Sequence, residues 1–286
     1  MRVISICLMS VFLVFAAFSC NLTDNEAPIP AFIILENPGV VNPANNSADS
    51  HKITDVWVFS DGQILGVFPL PAKVPVIVGG LEQEITIFAG IRKNGMLDTP
   101  DFYPFYKPII KRISPQANQI IAIPLDFSYN STAKIPVNEG FESGNVFSVD
   151  FDNNPATELI ITGDDASTGQ RSARVALTSS ISVVEVGSNI RVLGEQNARG
   201  QSYIELDYKG QGEISVGIAK IRSGIISVEY LLFVPARFTW NKIYVDVTNS
   251  LSSRDYDEYR LVFRFIKTSQ NASDFVYLDN VKHIHF

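Results

Sequence analysis

The sequence predicts an all-β protein made of two consecutive sandwiches, on three observations. Aromatic residues make up 11% of 286 residues and β-branched ones are plentiful, and both suit the pleated, half-buried surface of a strand. Apolar residues alternate with polar ones over short runs, and long helical periodicities are absent. Asp-Gly, Gly-Gly and Asn-Gly pairs recur between those runs, as hairpins require. The length allows one or two domains of ordinary size.

The elements follow in chain order. Residues 1–19 have the form of a secretory signal, with one charge at Arg2, an apolar run over 11–18 and small Ser19 before Cys20. With cysteine as the first mature residue the segment resembles a bacterial lipoprotein signal. That resemblance implies cleavage before Cys20, diacylation of its sulfur and attachment to the lipid bilayer. An uncleaved membrane helix is the alternative, but the apolar run from Val3 to Phe18 is short against the ~20 residues a span needs. Cys7 is the only other cysteine and would leave with the signal, so the mature chain has no intrachain disulfide and relies on a packed core. The net charge of −7 becomes −8 once Arg2 is removed. An acidic chain of this kind is a poor partner for nucleic acid or for anionic lipid.

Residues 20–50 read as the lipidated cysteine and a flexible tether, rich in Pro, Asn and Ser. Asp24 and Glu26 just after Cys20 resemble the export signals of Bacteroidetes-type surface lipoproteins. A solvated linker explains them equally well, so the expected location is the outer membrane, on its periplasmic or its cell-surface side.

Residues 51–135 read as a small sandwich of immunoglobulin or transthyretin type. A strand over 53–59 turns at Asp61-Gly62 and returns over 64–68, and Pro69, Pro71 and Pro75 mark an edge or a crossover. Strands then follow over 84–91, 109–113 and 119–125. The order of turns loosely resembles PEGA-like and carboxypeptidase-regulatory-like modules, which implies no catalytic residue here. The segment Tyr103-Pro104-Phe105-Tyr106-Lys107-Pro108 is either an exposed aromatic loop for a ligand or a stiffened loop whose rings cap the sandwich.

From 136 to 286 the alternation is strong. Ile226, Val228, Tyr230, Leu232 and Val234 share one parity, and Tyr259, Leu261, Phe263 and Phe265 share another, with Arg260 and Arg264 pointing the other way. About eight strands in 150 residues suit a double-sheet jelly roll. Phe141-Glu142-Ser143-Gly144, residues 169–175, residues 239–245 and Val276-Tyr277-Leu278-Asp279-Asn280-Val281 follow in order. Together they resemble the galactose-binding-like jelly rolls that include many carbohydrate-binding modules. The resemblance implies a structural Ca²⁺ near the domain's chain ends, with Glu142 and Asp279 as side-chain ligands and oxygens around Asp164, Asp165 and Ser172; simple turn capping is the alternative. Asp150-Phe151-Asp152-Asn153-Asn154 lacks the EF-hand pattern and reads as a turn.

A sugar site needs aromatic platforms beside charged or amide groups. By parity the outward candidates are Tyr203, Glu205 and Asp207 on one strand, Tyr244 and Asp246 on another, and Arg260 and Arg264 on a third. They form a polar groove if those strands are neighbours, and otherwise a solvated face with cross-strand ion pairs. Trp240 opens a strand and is expected in the core.

Catalysis has little support. There is no G-x-S-x-G elbow, and Asp164-Asp165 do not converge as a glycosidase pair must. His283 and His285 share one face of the last strand, as a metal pair or as a surface tail. Gly210-Gln211-Gly212 reads as a hairpin turn. The expected function is a non-catalytic, membrane-anchored lipoprotein binding a glycan or another surface polymer. A structural or assembly subunit that binds envelope proteins is the alternative.

Overall fold

The computed structural model describes residues 29–41, 49–194, 200–253 and 255–286; the signal-like segment, Cys20 and Asp24 and Glu26 lie outside them. The first unit holds β1 (Ala31–Leu35), β2 (Gly39–Val41), β3 (Asp55–Ser60), β4 (Gln63–Pro69), β5 (Ala72–Val76), β6 (Gln83–Arg92), β7 (Pro100–Phe102), β8 (Ile109–Ile113), β9 (Ile120–Ala122) and β10 (Asp126–Ser128). One sheet runs β4-β3-β6-β7, with β8 also on β6, while β5-β1-β9 and β10-β2 supply the rest. Val56 and Val58 of β3, Ile85 and Ile87 of β6, Ile33 and Leu35 of β1 and Val74 of β5 close one core. The β3–β4 hairpin turns at Asp61 and Gly62, with φ of 47° and 77°. Two successive left-handed residues match the right-handed twist of the strands they join.

Part of the expected tether is not a tether. Residues 31–41 supply β1 and β2, with β1 pairing antiparallel with β5 and parallel with β9. The prolines of this segment suggest a spacer, but they stand outside both strands, and Ala31-Phe32-Ile33-Ile34-Leu35 between them is an alternating strand with Ala31, Ile33 and Leu35 buried.

The second unit is a jelly-roll β-sandwich. It comprises β11 (Lys134–Glu139), β12 (Val149–Asp150), β13 (Ile160–Thr162), β14 (Ser172–Thr178), β15 (Val183–Gly187), β16 (Val192–Leu193), β17 (Ser202–Gly210), β18 (Glu213–Arg222), β19 (Ile225–Val234), β20 (Arg237–Asp246), a short helix α1 (Thr248–Ser252), β21 (Glu258–Ile266) and β22 (Ser273–His285). One sheet runs β13-β14-β22-β17-β20, with β11 on β22. The other runs β12-β15-β21-β18-β19, with β16 on β21. Val175, Leu206, Val245 and Leu278 from the first meet Val186, Val216, Leu261 and Phe263 from the second. Tyr259, Leu261, Phe263 and Phe265 face this core as their alternation predicts.

Three local expectations change. Gly210-Gln211-Gly212 is no hairpin, because β17 and β18 belong to different sheets; the turn carries the chain across the sandwich. The inward parity of β19 holds only for Leu232 and Val234. Val216 faces Leu232 and Gly217 faces Tyr230, so Leu231 is an extra residue, and such a bulge turns Tyr230, Val228 and Ile226 to the opposite face. The last strand is not a surface tail either. β22 is interior to its sheet, His283 and His285 are buried, and their rings stack at 5.4 Å.

The outer face of the β17–β20 sheet is covered by the first unit, and this seam contains four of the residues expected to line a groove. Tyr203, Glu205, Asp207 and Tyr244 do face away from the jelly-roll core, but all are at most 2% exposed. The Glu205 carboxylate accepts hydrogen bonds from the Tyr103 hydroxyl at 2.6 Å and the Tyr129 hydroxyl at 3.0 Å, and pairs with Lys242 Nζ at 2.9 Å. Lys282 pairs with Asp49 at 2.7 Å. The Tyr103 ring packs against Tyr203 and Tyr244, at 5.5 Å and 4.9 Å, so residues 103–106 are structural and fill this junction. Burial would raise the Glu205 carboxyl, but the Lys242 and Lys282 charges and the Tyr103 hydrogen bond outweigh it and hold it below the usual carboxylate range.

Two outcomes are expected. Glu205→Ala strands the Lys242 ammonium without its main counter-charge and lowers stability in urea unfolding by about 3–5 kcal/mol. In a cycle with Lys242→Met, the double variant loses clearly less than the sum of the single ones; additive losses would show that the pair is not coupled. For His283, burial and the neighbouring His285 charge push the imidazole down to about 3 from 6.5. The unfolded chain therefore takes up a proton first, and stability due to neutral His283 is complete above pH 6.5 and is lost progressively as pH falls toward 3. The stability gap between the parent and His283→Gln should narrow by about 2 kcal/mol between pH 7 and pH 5; a constant gap in urea midpoints at the two pH values refutes the linkage.

Candidate functional site

With one outer sheet face occupied by the first unit, the other face of the jelly roll is open. Arg260 and Arg264 lie there, on β21, as their parity predicts. They are not beside Tyr203, Glu205, Asp207 or Tyr244, whose strands β17 and β20 belong to the opposite sheet. The expected groove mixes residues from both sides of the sandwich and does not exist as one surface.

Small residues lie beneath the middle of this face, where Ser215 and Ala219 are fully buried under larger neighbours. Ser215, Gly217 and Ala219 of β18 stand beside Arg264, Val262 and Arg260 of β21 on one side, and Gly217 and Ala219 stand beside Tyr230 and Val228 of β19 on the other. A Cβ on Gly217 would lie 2.9 Å from Tyr230 Cδ1 and 2.6 Å from the Glu229 carbonyl oxygen, so only glycine lets Tyr230 settle here. The Arg264 guanidinium lies over the Tyr230 ring, 4.1 Å from its centroid, and is ion-paired with Glu185 of β15. Burial and the Glu185 charge push the Tyr230 hydroxyl up to about 12. Arg264 is thus held by a ring beneath it and a carboxylate beside it.

At the other end of the face, a cavity of about 310 Å³ is lined by Arg191, Ile221, Gly224, Ile226, Asp257, Glu258 and Arg260. Arg191 pairs with Glu258 at 2.8 Å. Asp257 accepts a hydrogen bond from the Ser223 backbone N–H at 2.7 Å, anchoring the β18–β19 turn. Arg260 donates to the Ser188 carbonyl at 2.8 Å. Desolvation and the neighbouring Arg191 charge lower its pKa from the ordinary guanidinium value. Ile226, 54% exposed, pairs across with Ile221 to give an apolar floor between donors and acceptors. Arg191, Tyr230, Glu185 and Glu258 were not among the candidates drawn from the sequence. Tyr230 was lost to the bulge at Leu231, and the others lie on strands or loops whose neighbours alternation alone does not identify.

The expected calcium ligands are satisfied in another way. Glu142 Oε1 accepts the backbone N–H groups of Gln170 and Arg171, at 2.8 Å and 3.1 Å. Asp279 Oδ2 accepts those of Ser167 and Thr168, at 2.9 Å and 3.2 Å. Asp164 pairs with Arg174 at 2.7 Å, Asp165 pairs with Lys209, and the Ser172 hydroxyl donates to the Asp165 carbonyl. A hard cation needs six to eight converging oxygens. Here the 167–171 loop aims N–H donors at both carboxylates, and no group of three or more His, Cys, Asp or Glu suited to a metal occurs among the described residues. The residues do not fit a Ca²⁺ site; they close a loop against the chain ends of the domain. Burial, with Asp207 nearby, moves the Asp279 carboxyl up to about 6 despite those N–H groups. Asp152 accepts from the Asn154 and Glu185 N–H groups and from the Thr157 hydroxyl, which makes residues 150–154 a turn.

Trp240 is not in the core. Ile243 and Val245 of β20 face inward, so Trp240 has the outward parity of Lys242 and Tyr244 and is half-buried on the outer face. His283 Nε2 lies 3.0 Å from the Ser202 hydroxyl and 3.4 Å from that of Tyr259, an interior arrangement rather than a two-histidine metal site.

No protein-family model and no curated protein matches the chain. Among solved structures it is similar to a xylan-binding domain from CBM 22, with 13% identity and a TM-score of 0.38 over 54% of this chain and 96% of that one. It is similar to a carbohydrate-binding module of the beta-sandwich super family, with 13% identity and a TM-score of 0.43 over 90% of this chain and 99% of that one. It is also similar to a family 30 carbohydrate-binding module of a cellulosomal cellulase of Clostridium thermocellum, with 13% identity and a TM-score of 0.38 over 53% and 96%.

Proposed function

We propose that this protein is a non-catalytic, lipid-anchored glycan-binding protein of the cell envelope, and that the open face of its jelly roll is the binding surface. The observation that carries this reading is the cavity at Arg260. A sugar hydroxyl both donates and accepts hydrogen bonds while its C–H groups are apolar, so a site for it mixes all three characters. Arg191 and Arg260 supply donors, Asp257 and Glu258 acceptors, and Ile221 and Ile226 the apolar floor. A volume of about 310 Å³ lies at the lower end of the ~300–1,000 Å³ of small-molecule sites. Arg264 and Tyr230, further along the face, extend the surface toward a longer chain.

The anchor rests on the signal-like segment and Cys20. Lipid on Cys20 is the attachment this reading assigns, at the outer membrane.

A second reading, an assembly subunit binding envelope proteins, is favoured by the first unit. Trp57, Phe59, Phe88 and Phe102 form a chain of ring contacts at 5.5 to 5.9 Å on its β4-β3-β6-β7 sheet. Phe102, Ile110 and Ile64 are exposed beside them, and a contiguous apolar patch of this kind suits a protein partner.

Soluble protein comprising residues 21–286 should bind a related set of glycans saturably on an array. Arg260→Ala should weaken that binding at least tenfold, the loss of a charged hydrogen bond worth about 1.5–3 kcal/mol. A blank array from folded protein would reject the glycan reading in favour of the subunit. Independently, the full chain should incorporate radiolabelled palmitate and Cys20→Ser should not; equal labelling of both would remove the anchor.

A further inference from the structure

The seam covers only part of the outer face of the β17–β20 sheet. Beyond Lys242 the same face continues as an uncovered aromatic strip. Phe238, 78% exposed, and half-buried Trp240 stand two residues apart on β20. Tyr277 and Phe275 stand two residues apart on β22, and Lys209 of β17 and Arg174 of β14 flank Tyr277 on either side. The Trp240 and Tyr277 rings meet edge to face, with centroids 6.3 Å apart.

Charged groups hold these rings in place. The Trp240 Nε1–H donates to Asp165 Oδ1 at 2.8 Å, and the other Asp165 oxygen is paired with Lys209. The Arg174 guanidinium lies 5.0 Å from the Phe275 ring centroid and is paired with Asp164 at 2.7 Å. All four charged side chains are about a third exposed or more. The strip therefore combines a pinned Trp240, its neighbour Tyr277 and the exposed Phe238 with two acid–base pairs, Asp165–Lys209 and Asp164–Arg174; Arg237 beside Phe238 and Lys52 on Asn241 add positive charge at the Trp240 end.

That combination discriminates between occupants. An anionic lipid surface meets two carboxylates beside the rings, and the two bases next to them are already paired with those carboxylates. A protein partner would have to desolvate four charges near the centre of its contact, where protein interfaces are depleted of charge. A neutral polyhydroxylated ring matches both features, with its apolar face on an aromatic platform and its hydroxyls on rim donors and acceptors. Trp240, fixed by Asp165 before binding, also loses little side-chain freedom.

We propose that Phe238, Trp240 and Tyr277 form a second carbohydrate-contact surface, on the face opposite the Arg260 cavity, on which a neutral pyranose stacks against Trp240 while Asp165, Lys209 and Arg174 bind its hydroxyls. It rests on the glycan reading only for the class of ligand; the residues and the face are different.

The chain has two tryptophans, Trp57 and Trp240, so Trp57→Phe leaves Trp240 as the sole indole reporter. β-1,4-linked hexasaccharides of glucose, xylose and mannose would be titrated into this variant with emission recorded, and into the parent, Trp240→Ala, Phe238→Ser and Arg260→Ala by calorimetry. Near-UV circular dichroism would establish that each is folded. At least one hexasaccharide should shift or quench Trp240 emission saturably, with affinity at the strip falling at least tenfold in Trp240→Ala and several-fold in Phe238→Ser. Phe238 is so exposed that its loss leaves folding intact, which keeps the test valid if Trp240→Ala misfolds. Arg260→Ala made in the Trp57→Phe background should leave the Trp240 signal unchanged. Binding abolished by Arg260→Ala and untouched by Trp240→Ala and Phe238→Ser overturns the strip and leaves the open-face reading standing. Binding lost in Trp240→Ala and Phe238→Ser alone supports the strip and overturns the open face. No binding of any hexasaccharide to folded parent protein overturns both.

Discussion

The buried pair of Glu205 and Lys242 is the constraint on which the arrangement of the two units depends. Two opposite charges at 2.9 Å with side chains 0% and 3% exposed carry a large desolvation cost, and such a pair is tolerable only when its remaining hydrogen-bonding capacity is met. The first unit meets it. The hydroxyls of Tyr103 and Tyr129 reach Glu205, and the Ser50 hydroxyl lies 3.0 Å from Lys242 Nζ. Removing the first unit would leave a carboxylate and an ammonium on a surface shaped for rings, and it would expose Tyr203, Tyr244 and Ile284, which belong to the first unit's own apolar cluster. The seam is therefore a shared core with a charged centre, not two surfaces in passing contact.

This accounts for the difference between the faces of the jelly roll. A sandwich has two outer sheet faces, and here one carries the junction over part of its area while the other is left open. The same choice explains why the strand with the richest outward chemistry, β17, contributes nothing to the open face. Tyr203, Glu205 and Asp207 have the residue types of a sugar site because a buried polar junction and a sugar site both need aromatic area with fixed hydrogen-bonding groups. What separates them is whether the partner is part of the chain.

That distinction marks the limit of what was legible in the sequence. Alternation located most strands, the inward set from Tyr259 to Phe265 and the outward set on β17, because these follow from the two-residue repeat of a strand, and the Asp-Gly pair located the turn at Asp61-Gly62. Parity says which residues leave the core and is silent on what meets them. It also fails wherever one residue is inserted, as at Leu231, where the bulge moves Tyr230 from the expected core to the open face. Trp240 is a different case: its parity with Lys242 and Tyr244 was readable, but a large aromatic at a strand start suggested burial. Sheet membership was beyond reach as well. It made Gly210-Gln211-Gly212 a crossover rather than a hairpin and put His283 and His285 inside an interior strand instead of a tail. Residues 31–35 were hidden by the prolines around them, because composition outweighed a five-residue alternation.

One strand shows how closely seam and surface are related. Along the outward parity of β20, Tyr244 and Lys242 are inside the junction, Trp240 is at its margin and Phe238 is in solvent. The first unit reaches Tyr244 through the Asn94 backbone N–H, at 2.8 Å to its carbonyl, and through the Lys52 N–H, at 2.9 Å to its hydroxyl, while the Lys52 ammonium contacts Asn241. The last of these contacts, at Asn241, stands one residue short of Trp240. At that point the acid meeting the strand changes from Glu205, held by the first unit's tyrosines, to Asp165, held by the jelly roll's own Lys209. Past Lys242 the groups that satisfy the strand change owner, so Trp240 is held by its own unit. The bonds that hold Trp240 lie within the jelly roll, so a ligand stacking there would leave the Glu205–Lys242 junction intact.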